Sequence, residues 1–314
     1  MNAADRLRAI LSGTELVVAP FVYDALQAKV AAAAGFGALY CTGFGTAASY
    51  GLPDVGLLGL QEMAANGRRI SGAVEVPVIC DADTGFGNAV NVARTVREYA
   101  AAGIAALHLE DQVWPKRCGF MTGKEVIPAE EAVQKVRAAV DASRSLHSGR
   151  DDYGADEADG GERRGGGAGP VIIARTDALA PHGWDEVESR ARAFAEVGAE
   201  LIFVDGLRTR ADAERCAHRL GDLPLVYNGM LASADVAALG FKLQLHSGPL
   251  MAGFAALEGI YAQLAATGRV ELDGVGGLFD RLNALLGLAE VEALRLRYAA
   301  GDQPLSPVNR TTVT

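Results

Sequence analysis

Eight apolar runs, each followed by a helical pattern, recur along this chain and limit the folds open to it. One of them, Val76–Ile79, leads directly into Asp81, Asp83 and a glycine-flanked turn. Such runs are typical of strands buried on both faces, and their alternation with helices is typical of a parallel sheet. With 314 residues, half of them hydrophobic, the chain can bury one large core. The pattern predicts a (β/α)8 TIM-type barrel, with a single domain over residues 1–314.

The eight predicted strands and their helices can be placed directly on the sequence. The strands are Leu16–Pro20, Ala38–Gly43, Val76–Asp81, Ile104–Leu109, Val171–Asp177, Leu201–Asp205, Leu223–Asn228 and Phe241–His246. Helical patterns follow at Tyr23–Ala34, Leu57–Ser71, Ala89–Ala102, Pro128–Ala142, Trp184–Val197, Arg210–Leu220 and Ser233–Leu239. Two further helices, Pro249–Thr267 and Leu278–Ala300, are one more than a minimal barrel needs. An extra helix of this kind often packs on a neighbouring subunit.

Acidic residues follow several of these strands. Asp81 and Asp83 leave the third strand, Glu110 leaves the fourth, and Asp54 lies in the loop after the second. Because active sites of barrels lie at the carboxyl ends of the strands, we expect these acids to meet at one mouth. Carboxylate oxygens are the ligands that Mg²⁺ or Mn²⁺ prefers. For one aspartate alone, capping of a helix or turn is the commoner explanation, but the repetition favours a metal site.

The stretch Trp114–Lys124 is polar and rich in glycine, so we expect a long loop over the same mouth. Within it, Cys118 follows Lys116 and Arg117, two cations that would lower the pKa of its thiol. A lone cysteine is more often a small buried apolar residue. Its cationic neighbours favour a reactive thiol here.

Further polar groups at the strand ends are suited to bind a carboxylate. Arg175 supplies a planar guanidinium for a substrate carboxylate, although a structural ion pair with one of the acids is equally compatible with its position. After the second strand, Gly43–Thr46 offers free backbone amides, and a plain flexible turn is the alternative. The last three strands end in Asp205, Asn228 and His246.

Composition and charge exclude two classes of partner. The net charge of −10 and the pI near 5.1 leave no basic field that would attract a nucleic acid or an anionic membrane. No apolar run reaches the length of a membrane span, and Met1–Arg6 lacks the features of a signal peptide. We therefore expect a cytoplasmic protein. Its four cysteines show no metal-ligand spacing and are expected to be thiols.

The segment Ser143–Pro170 differs from the rest of the chain, since it is rich in Gly, Asp and Arg and has almost no apolar content. Such a segment cannot bury enough surface to offset the entropy of ordering it. We predict that residues 143–170 form a disordered insertion. Because it joins a helix to the next strand, it should lie on the face opposite the mouth.

Several motifs in this order closely resemble the isocitrate lyase and phosphoenolpyruvate mutase superfamily. They are Val22–Ala25, Gly51–Asp54, Asp81–Gly87, Leu109–Gln112, Lys116–Gly119 and Ile173–Ala178. The methylisocitrate lyase-like and carboxyphosphonoenolpyruvate mutase-like members are the most similar. The resemblance implies a barrel whose final helix is swapped between subunits of a homotetramer, a dimer of dimers. It also implies Mg²⁺, with Mn²⁺ as an alternative, and an α-oxo-carboxylate substrate whose bond is cleaved or formed through an enolate.

The resemblance also implies roles for individual residues. Asp81 matches the direct Mg²⁺ ligand, and the acids that match the holders of the metal's waters are Asp83, Asp54 and Glu110. The residues that match the binding site of the oxo-acid carboxylate are Thr42, Gly43, Phe44 and the clamping Arg175. Cys118, in the motif Lys116-Arg117-Cys118-Gly119, resembles the catalytic cysteine of the methylisocitrate and isocitrate lyases, which protonates the departing carbanion.

Three departures from the lyase pattern concern the second half of the substrate. The lyases usually have His where this chain has Phe120, and Glu where it has Asp205. Asn228 is kept, but Met230 replaces the polar residue two places on. We therefore expect a leaving half that is less charged, or more apolar, than that of methylisocitrate.

The sequence thus predicts an Mg²⁺-dependent carbon–carbon lyase. It would cleave a substituted, methylisocitrate-like 2-hydroxy di- or tricarboxylic acid to an α-oxo acid through an enolate-type intermediate. Such a cleavage needs a Lewis acid and a proton donor, which Asp81 with Mg²⁺ and Cys118 would supply, and a base. A metal-linked acid or a neighbouring tyrosine could be that base. A phosphonate-forming mutase, an oxaloacetate-type decarboxylase and an inactive metabolite-binding barrel are the alternatives.

Overall fold

Eight parallel strands form a closed barrel in a computed structural model that describes residues 1–119, 121–148, 169–272 and 275–298. The strands are β1 (Val17–Val22), β2 (Leu39–Cys41), β3 (Val78–Asp81), β4 (Ala106–Glu110), β5 (Val171–Thr176), β6 (Leu201–Val204), β7 (Leu225–Gly229) and β8 (Leu243–His246). Each strand pairs with the next and β8 pairs with β1, so the sheet has no free edge. The predicted (β/α)8 barrel is confirmed.

Helices surround the barrel and follow each strand. Within the described residues they are α1 (Ala3–Leu11), α2 (Ala25–Ala33), α3 (Gly43–Ser49), α4 (Leu60–Ser71), α5 (Ala89–Ala101), α6 (Ala129–Ser148), α7 (Leu179–His182), α8 (Trp184–Glu196), α9 (Arg210–Leu220), α10 (Ser233–Ala238), α11 (Gly248–Thr267), α12 (Val275–Leu286) and α13 (Leu288–Arg297). The sequence did not predict α1, α3 or α7. The helix predicted over 278–300 is divided by Gly287, whose φ of +83° ends one helix before the next begins.

Alternation along the strands separates two apolar layers. On β3, Ile79 packs inside the barrel and Cys80 packs outward beneath the helices. Asp81 is the next residue whose side chain points inward, and on β5 the same spacing relates Ile173 to Arg175. The period of two therefore fills the lower barrel with apolar side chains and its carboxyl end with polar ones.

The amino-terminal end of the barrel is closed by α1. Its Leu7 is fully buried and belongs to the same interior cluster as Val17 and Leu243, which begin their strands. Asn2 caps the start of this helix, because its side chain accepts a hydrogen bond from the amide of Asp5 at 2.8 Å. With this end closed, the mouth at the carboxyl ends is the open end of the barrel.

The boundaries predicted for the disordered insertion, Ser143 and Pro170, are wrong at both ends. Ser143–Ser148 continue α6, and the Ser143 hydroxyl donates to the carbonyl oxygen of Pro170 at 2.7 Å. Ser143, Ser145 and Gly169 to Pro170 are buried or packed against that contact. Composition misplaced these ends because serine hydroxyls can satisfy nearby carbonyl groups and so tolerate burial. The rest of the predicted insertion, 149–168, lies outside the described residues.

The carboxy-terminal helices expose much of their apolar surface. On α11, Phe254 is 60% and Tyr261 is 66% exposed, and on α12 Phe279 is 72% exposed. By length and composition α11 could cross a membrane. An 18-residue stretch of it has a mean hydropathy of 1.2, and 6% of that stretch is buried. The expectation that no run reaches that length is therefore wrong for α11. Small and large apolar residues are mixed along this helix, so its mean hydropathy is high without a single long aliphatic run.

The turn after β3 requires glycine at position 85. Gly85 has a φ of +82°, and an added Cβ would overlap the Val92 side chain and lie 2.8 Å from Leu109 Cδ1. Gly35 has a similar φ of +94° but nothing within 4 Å. We expect Gly35→Ala to lower the free energy of unfolding by about 1 kcal/mol, from backbone strain alone. Gly85→Ala should lower it by about 2–4 kcal/mol, because overpacking is added to the strain.

Urea unfolding of the two variants measures the difference directly. Equal losses of stability for both variants would show that the crowding around Gly85 is absent in solution.

Candidate active site

Strand register brings the inward-pointing polar residues of three strands side by side. Asp81 on β3 is paired with His108 on β4, and Glu110 at the end of β4 is paired with Arg175 on β5. All four side chains are buried. The acids and the arginine that the sequence placed at strand ends therefore lie next to one another at the mouth.

Asp81 is held in place by backbone amides and by a histidine. Its Oδ1 accepts from the amide of Asp83 at 2.9 Å, and its Oδ2 accepts from the amide of Gly43 at 3.2 Å. The Nε2 of His108 lies 3.3 Å from Asp81 Oδ1 and 2.6 Å from the hydroxyl of Tyr40. These contacts fix the carboxylate at the end of its strand.

The pKa of Asp81 depends on its burial and on the groups around it. Burial raises the pKa of this carboxyl group, but His108, Lys116 and Arg175 together outweigh burial and hold the pKa below its usual value. Asp81 is therefore an anion at neutral pH. Within the described part of the chain, no lysine or arginine is in direct contact with it.

Lys116 provides the charge that balances the other two acids on this side. Its Nζ lies 2.5 Å from Asp54 Oδ1 and 2.7 Å from Asp83 Oδ1, and all three side chains are under 10% exposed. Burial still raises the pKa of Asp83 to about 7, against the opposing effect of Lys116. Asp83 also has a φ of +46°, a strained backbone conformation of the kind found at functional sites.

Arg175 and Lys124 bind the acids on the opposite side of the mouth. The guanidinium of Arg175 donates two hydrogen bonds to Asp177, at 2.9 and 3.0 Å, and lies 3.2 Å from Glu110 and 3.4 Å from Asp205. The ammonium of Lys124 lies 2.8 Å from Asp177 and 2.5 Å from Asp205. Arg175 is therefore in structural ion pairs with three acids, and its side chain is 7% exposed.

The donor set fits a metal held mainly through water. Both carboxylate oxygens of Glu110 are buried without a hydrogen-bond partner, and burial raises the pKa of this group well above its usual value. Among the described residues, no three acid, histidine or cysteine side chains converge closely enough to bind one ion together. One direct ligand, Asp81, with Glu110 and Asp83 reaching the metal's waters, is compatible with this spacing.

The loop after β4 lies down over the mouth. Cys118 is 6% exposed, and its amide donates to the carbonyl oxygen of Asp54 at 3.1 Å. An added Cβ on Gly119 would lie 2.6 Å from Asp205 Oδ1 and 2.9 Å from Arg175 Nη2, so only glycine allows this approach. The loop and the strand ends therefore form one enclosed site.

The two cations beside Cys118 are directed to other groups. Lys116 is bound to the acids, and the guanidinium of Arg117 donates to the carbonyl oxygen of Thr122 at 3.5 Å. The backbone of Arg117 is held by the Gln112 side chain, which donates to its oxygen and accepts from its nitrogen, both at 2.9 Å. From the sequence we expected both cations to act on the thiol. In the structure Lys116 balances Asp54 and Asp83, and Arg117 is held by Gln112 and Thr122.

The turn after β2 differs from the expected free amides. Thr42 caps the short helix α3, its Oγ1 accepting from the amide of Gly45 at 3.4 Å, and the amide of Gly43 is bound to Asp81. Phe44 is half-buried beside them. The expectation of free amides is wrong for Gly43 and Gly45, because a helix begins there and a buried carboxylate takes the first amide.

A cavity of about 450 Å³ opens beside Asp205. Asn228 borders it, and the buried Oδ1 of Asn228 has no hydrogen-bond partner. Apolar side chains line much of the remaining wall, among them Leu207, Tyr227, Met230 and Leu231. Phe120 lies outside the described residues. The cavity is therefore largely apolar, with one unused amide oxygen.

Sequence reasoning missed several residues of this cluster. His108 and Tyr40 contact the Asp81 side of the site, and Lys124 with Asp177 completes the Arg175 side. Asp111 lies behind them, where it accepts from the amide of Asp177 at 2.8 Å. Spacing could have identified His108 and Asp177, which lie two residues from Glu110 and Arg175. No local pattern marked Lys124.

A sequence model of the family described as phosphoenolpyruvate phosphomutase matches residues 7–149 and 161–264. The chain is also 38% identical, over 315 residues, to 2,3-dimethylmalate lyase of Eubacterium barkeri, and the match covers 96% of this chain and all of that enzyme. A crystal structure of a 2,3-dimethylmalate lyase, described as a PEP mutase/isocitrate lyase superfamily member, is 34% identical. It has a TM-score of 0.82 and covers 97% of this chain and 99% of its own.

Two other similar structures were solved as complexes with ligands. Oxaloacetate acetylhydrolase in complex with 3,3-difluorooxalacetate has a TM-score of 0.85 and 32% identity, covering 96% of this chain and 99% of that one. Phosphonopyruvate hydrolase in complex with oxalate and Mg²⁺ has a TM-score of 0.79 and 31% identity, covering 95% and 99%. The likeness extends over nearly the whole chain in each case.

The buried His108 should make stability depend on pH. Burial lowers its pKa to about 4, so below the usual value of 6.5 the unfolded chain takes up a proton that the folded chain does not. This contribution to stability is present above about pH 6.5 and is lost as the pH falls toward 4. Between pH 7 and 5 the wild type should lose about 2 kcal/mol more than His108→Gln.

Urea unfolding at the two pH values gives this difference, and His182→Gln, at an exposed histidine, is the matched control. If His108→Gln and the wild type lost the same free energy, His108 would not be buried as a neutral group.

Proposed function

The chain belongs to the phosphoenolpyruvate mutase and isocitrate lyase superfamily of lyases and mutases, and on that premise we propose a specific activity. We propose that it is an Mg²⁺-dependent carbon–carbon lyase for an alkyl-substituted 2-hydroxy dicarboxylic acid, a substituted malate. The products would be a 2-oxo acid and a monocarboxylic acid. The loop cysteine favours this chemistry over a mutase or a decarboxylase, because a departing carbanion needs a proton donor.

The cavity beside Asp205 is the observation that carries the choice of substrate. Its wall is formed largely by Leu207, Tyr227, Met230 and Leu231, which suits an alkyl group and would leave an additional carboxylate without partners. Arg208, exposed at its edge, is placed to meet the single carboxylate of the leaving half. The 2,3-dimethylmalate named for the Eubacterium barkeri relative has this combination of groups.

The proposed reaction uses the two sides of the mouth differently. Arg175 binds the carboxylate next to the hydroxyl-bearing carbon, C2, in exchange for part of its contact with Glu110 or Asp205. Asp83, whose pKa of about 7 suits proton exchange near neutrality, takes the hydroxyl proton. The C2–C3 bond then breaks, its electron pair stays with C3, and the Cys118 thiol delivers a proton there. Mg²⁺ bound at Asp81 supplies the Lewis acid for the oxo group that forms at C2.

We further propose that the protein is a cytoplasmic homo-oligomer, a dimer of dimers. Its support is the apolar surface of the carboxy-terminal helices, which includes Phe254, Tyr261 and Phe279. A continuous set of exposed, large apolar side chains on a water-soluble protein is usually covered by a partner. The acidic charge of the chain gives neither a nucleic acid nor an anionic membrane a basic surface to bind.

The activity can be tested with a panel of 2-hydroxy acids and Mg²⁺. Pyruvate or another 2-oxo acid should be released fastest from malates that carry methyl groups at C2 and C3. Methylisocitrate and unsubstituted malate test the effects of charge and size, and oxaloacetate tests hydrolysis or decarboxylation. Turnover of oxaloacetate alone would contradict the lyase proposal.

The role of Cys118 can be separated from binding. Cys118→Ser should lower kcat about a hundredfold or more with little change in product affinity, because a hydroxyl is a much weaker acid than a thiol. Cys216→Ser, at a buried cysteine on α9, is the matched control. A Cys118→Ser protein with the kcat of the wild type would eliminate the proposed proton donor.

Metal dependence should reside in Asp81. Asp81→Asn keeps the size and acceptor oxygen of the side chain but removes the charge, so we expect no Mg²⁺ binding by calorimetry and no turnover. Asp141→Asn, at an exposed position on α6, should behave like the wild type. Undiminished Mg²⁺ affinity in Asp81→Asn would show that the metal binds elsewhere.

A further inference from the structure

A second cavity lies outside the barrel mouth. This outer groove, of about 520 Å³, is bordered by the turn after β3, the start of α5, the loop after β4 and α6. The residues that matter here are Phe86, Arg94, Gln112, Trp114 and Lys135. The outer groove shares no lining residue with the cavity beside Asp205. It is therefore separate from that cavity, and the proposed reaction uses none of its lining residues. Lys135 also borders a small space beside Glu110 and Arg175.

The outer groove contains a buried cation that lacks a contact partner. Lys135 is 5% exposed, between the buried Ala132 and Val136 on α6. Within the described residues its ammonium forms neither an ion pair nor a hydrogen bond. Three acids, Glu131, Glu110 and Asp111, act on it only through space. Burying a charge without a partner is costly, so a lysine kept in this position needs a compensating role.

The other walls define the shape of what could meet that charge. The rings of Phe86 and Trp114 lie edge to face, with centroids 6.4 Å apart, and Trp114 is 45% exposed. Phe86 has a φ of +59°, a conformation rare for a bulky residue, which the turn nevertheless adopts. Arg94, with a side chain 62% exposed and 3.7 Å from Glu98, adds a second cation at the rim, where Glu131 adds an acid. The groove therefore combines a deep positive charge with an aromatic wall.

We propose that the outer groove binds a small organic carboxylate, with Lys135 as its buried counter-charge and the rings of Phe86 and Trp114 against its apolar body. An occupant would touch Gln112, whose side chain holds the backbone of Arg117 in the loop that carries Cys118. The groove thus lies directly behind the anchor of the catalytic loop, where a metabolite could influence the site without entering it.

Binding can be measured through Trp114. The chain has two tryptophans, and in a Trp184→Phe background Trp114 is the remaining fluorophore. Benzoate and 3-phenylpropanoate are the probes, and benzyl alcohol is the uncharged control. Both carboxylates should change the fluorescence saturably, whereas benzyl alcohol should bind much more weakly. Lys135→Met should weaken carboxylate binding about tenfold or more, as expected for losing a charged hydrogen bond.

Arg137→Met, at an exposed position on the same helix, should leave the affinity unchanged. Because methionine removes an uncompensated charge at nearly equal volume, Lys135→Met should keep or raise Tm, which verifies that the variant is folded. The proposal is overturned if neither carboxylate saturates the signal, or if Lys135→Met binds as tightly as the wild type, as it would for probes in the barrel mouth. A clear fall in Tm would also overturn it, by showing that Lys135 is structural.

Discussion

Buried ionised carboxylates are costly unless positive charge or hydrogen bonds compensate them, and the mouth of this barrel depends on that compensation. The strands contribute acids, whereas two of the cations come from the loop and segment after β4. Lys116 balances Asp54 and Asp83, and Lys124 balances Asp177 and Asp205. Removal of either lysine would leave charges that are costly at this depth. The loop is therefore part of the site's electrostatic structure as well as its cover.

The compensation is uneven, and the imbalance has chemical meaning. Asp81 is an anion with no lysine or arginine in contact within the described residues, and both oxygens of Glu110 lack a hydrogen bond although Arg175 lies 3.2 Å away. A divalent cation with its waters would supply what both groups lack. Asp54 and Asp205, which lysines engage, hold the loop in place, whereas Asp81 and Glu110 are the acids with room for a metal. Asp83 contacts Lys116 and, in the proposed reaction, also takes the hydroxyl proton.

The sequence was sufficient to predict the barrel because a period of two within each strand and the alternation of strands with helices are local signals. The same logic placed Asp81, Glu110 and Arg175 at one mouth. Pairing across the loop was not predictable, since Lys124 meets Asp205 only through the closed fold. Composition failed at Ser143, where a hydroxyl satisfies a distant carbonyl oxygen, and on α11, where mixed small and apolar residues gave no long run.

The depth of these ion pairs also separates two kinds of charge on the molecule. Arg192 and Asp222 form an exposed pair, with side chains 41% and 62% exposed, and dissolved ions can reach and screen it. The pairs of Lys116 and Lys124 have side chains under 10% exposed. High ionic strength should therefore weaken the outer network, while the geometry of the mouth persists. Salt would then lower the stability of the surface without separating the charged groups of the site beneath it.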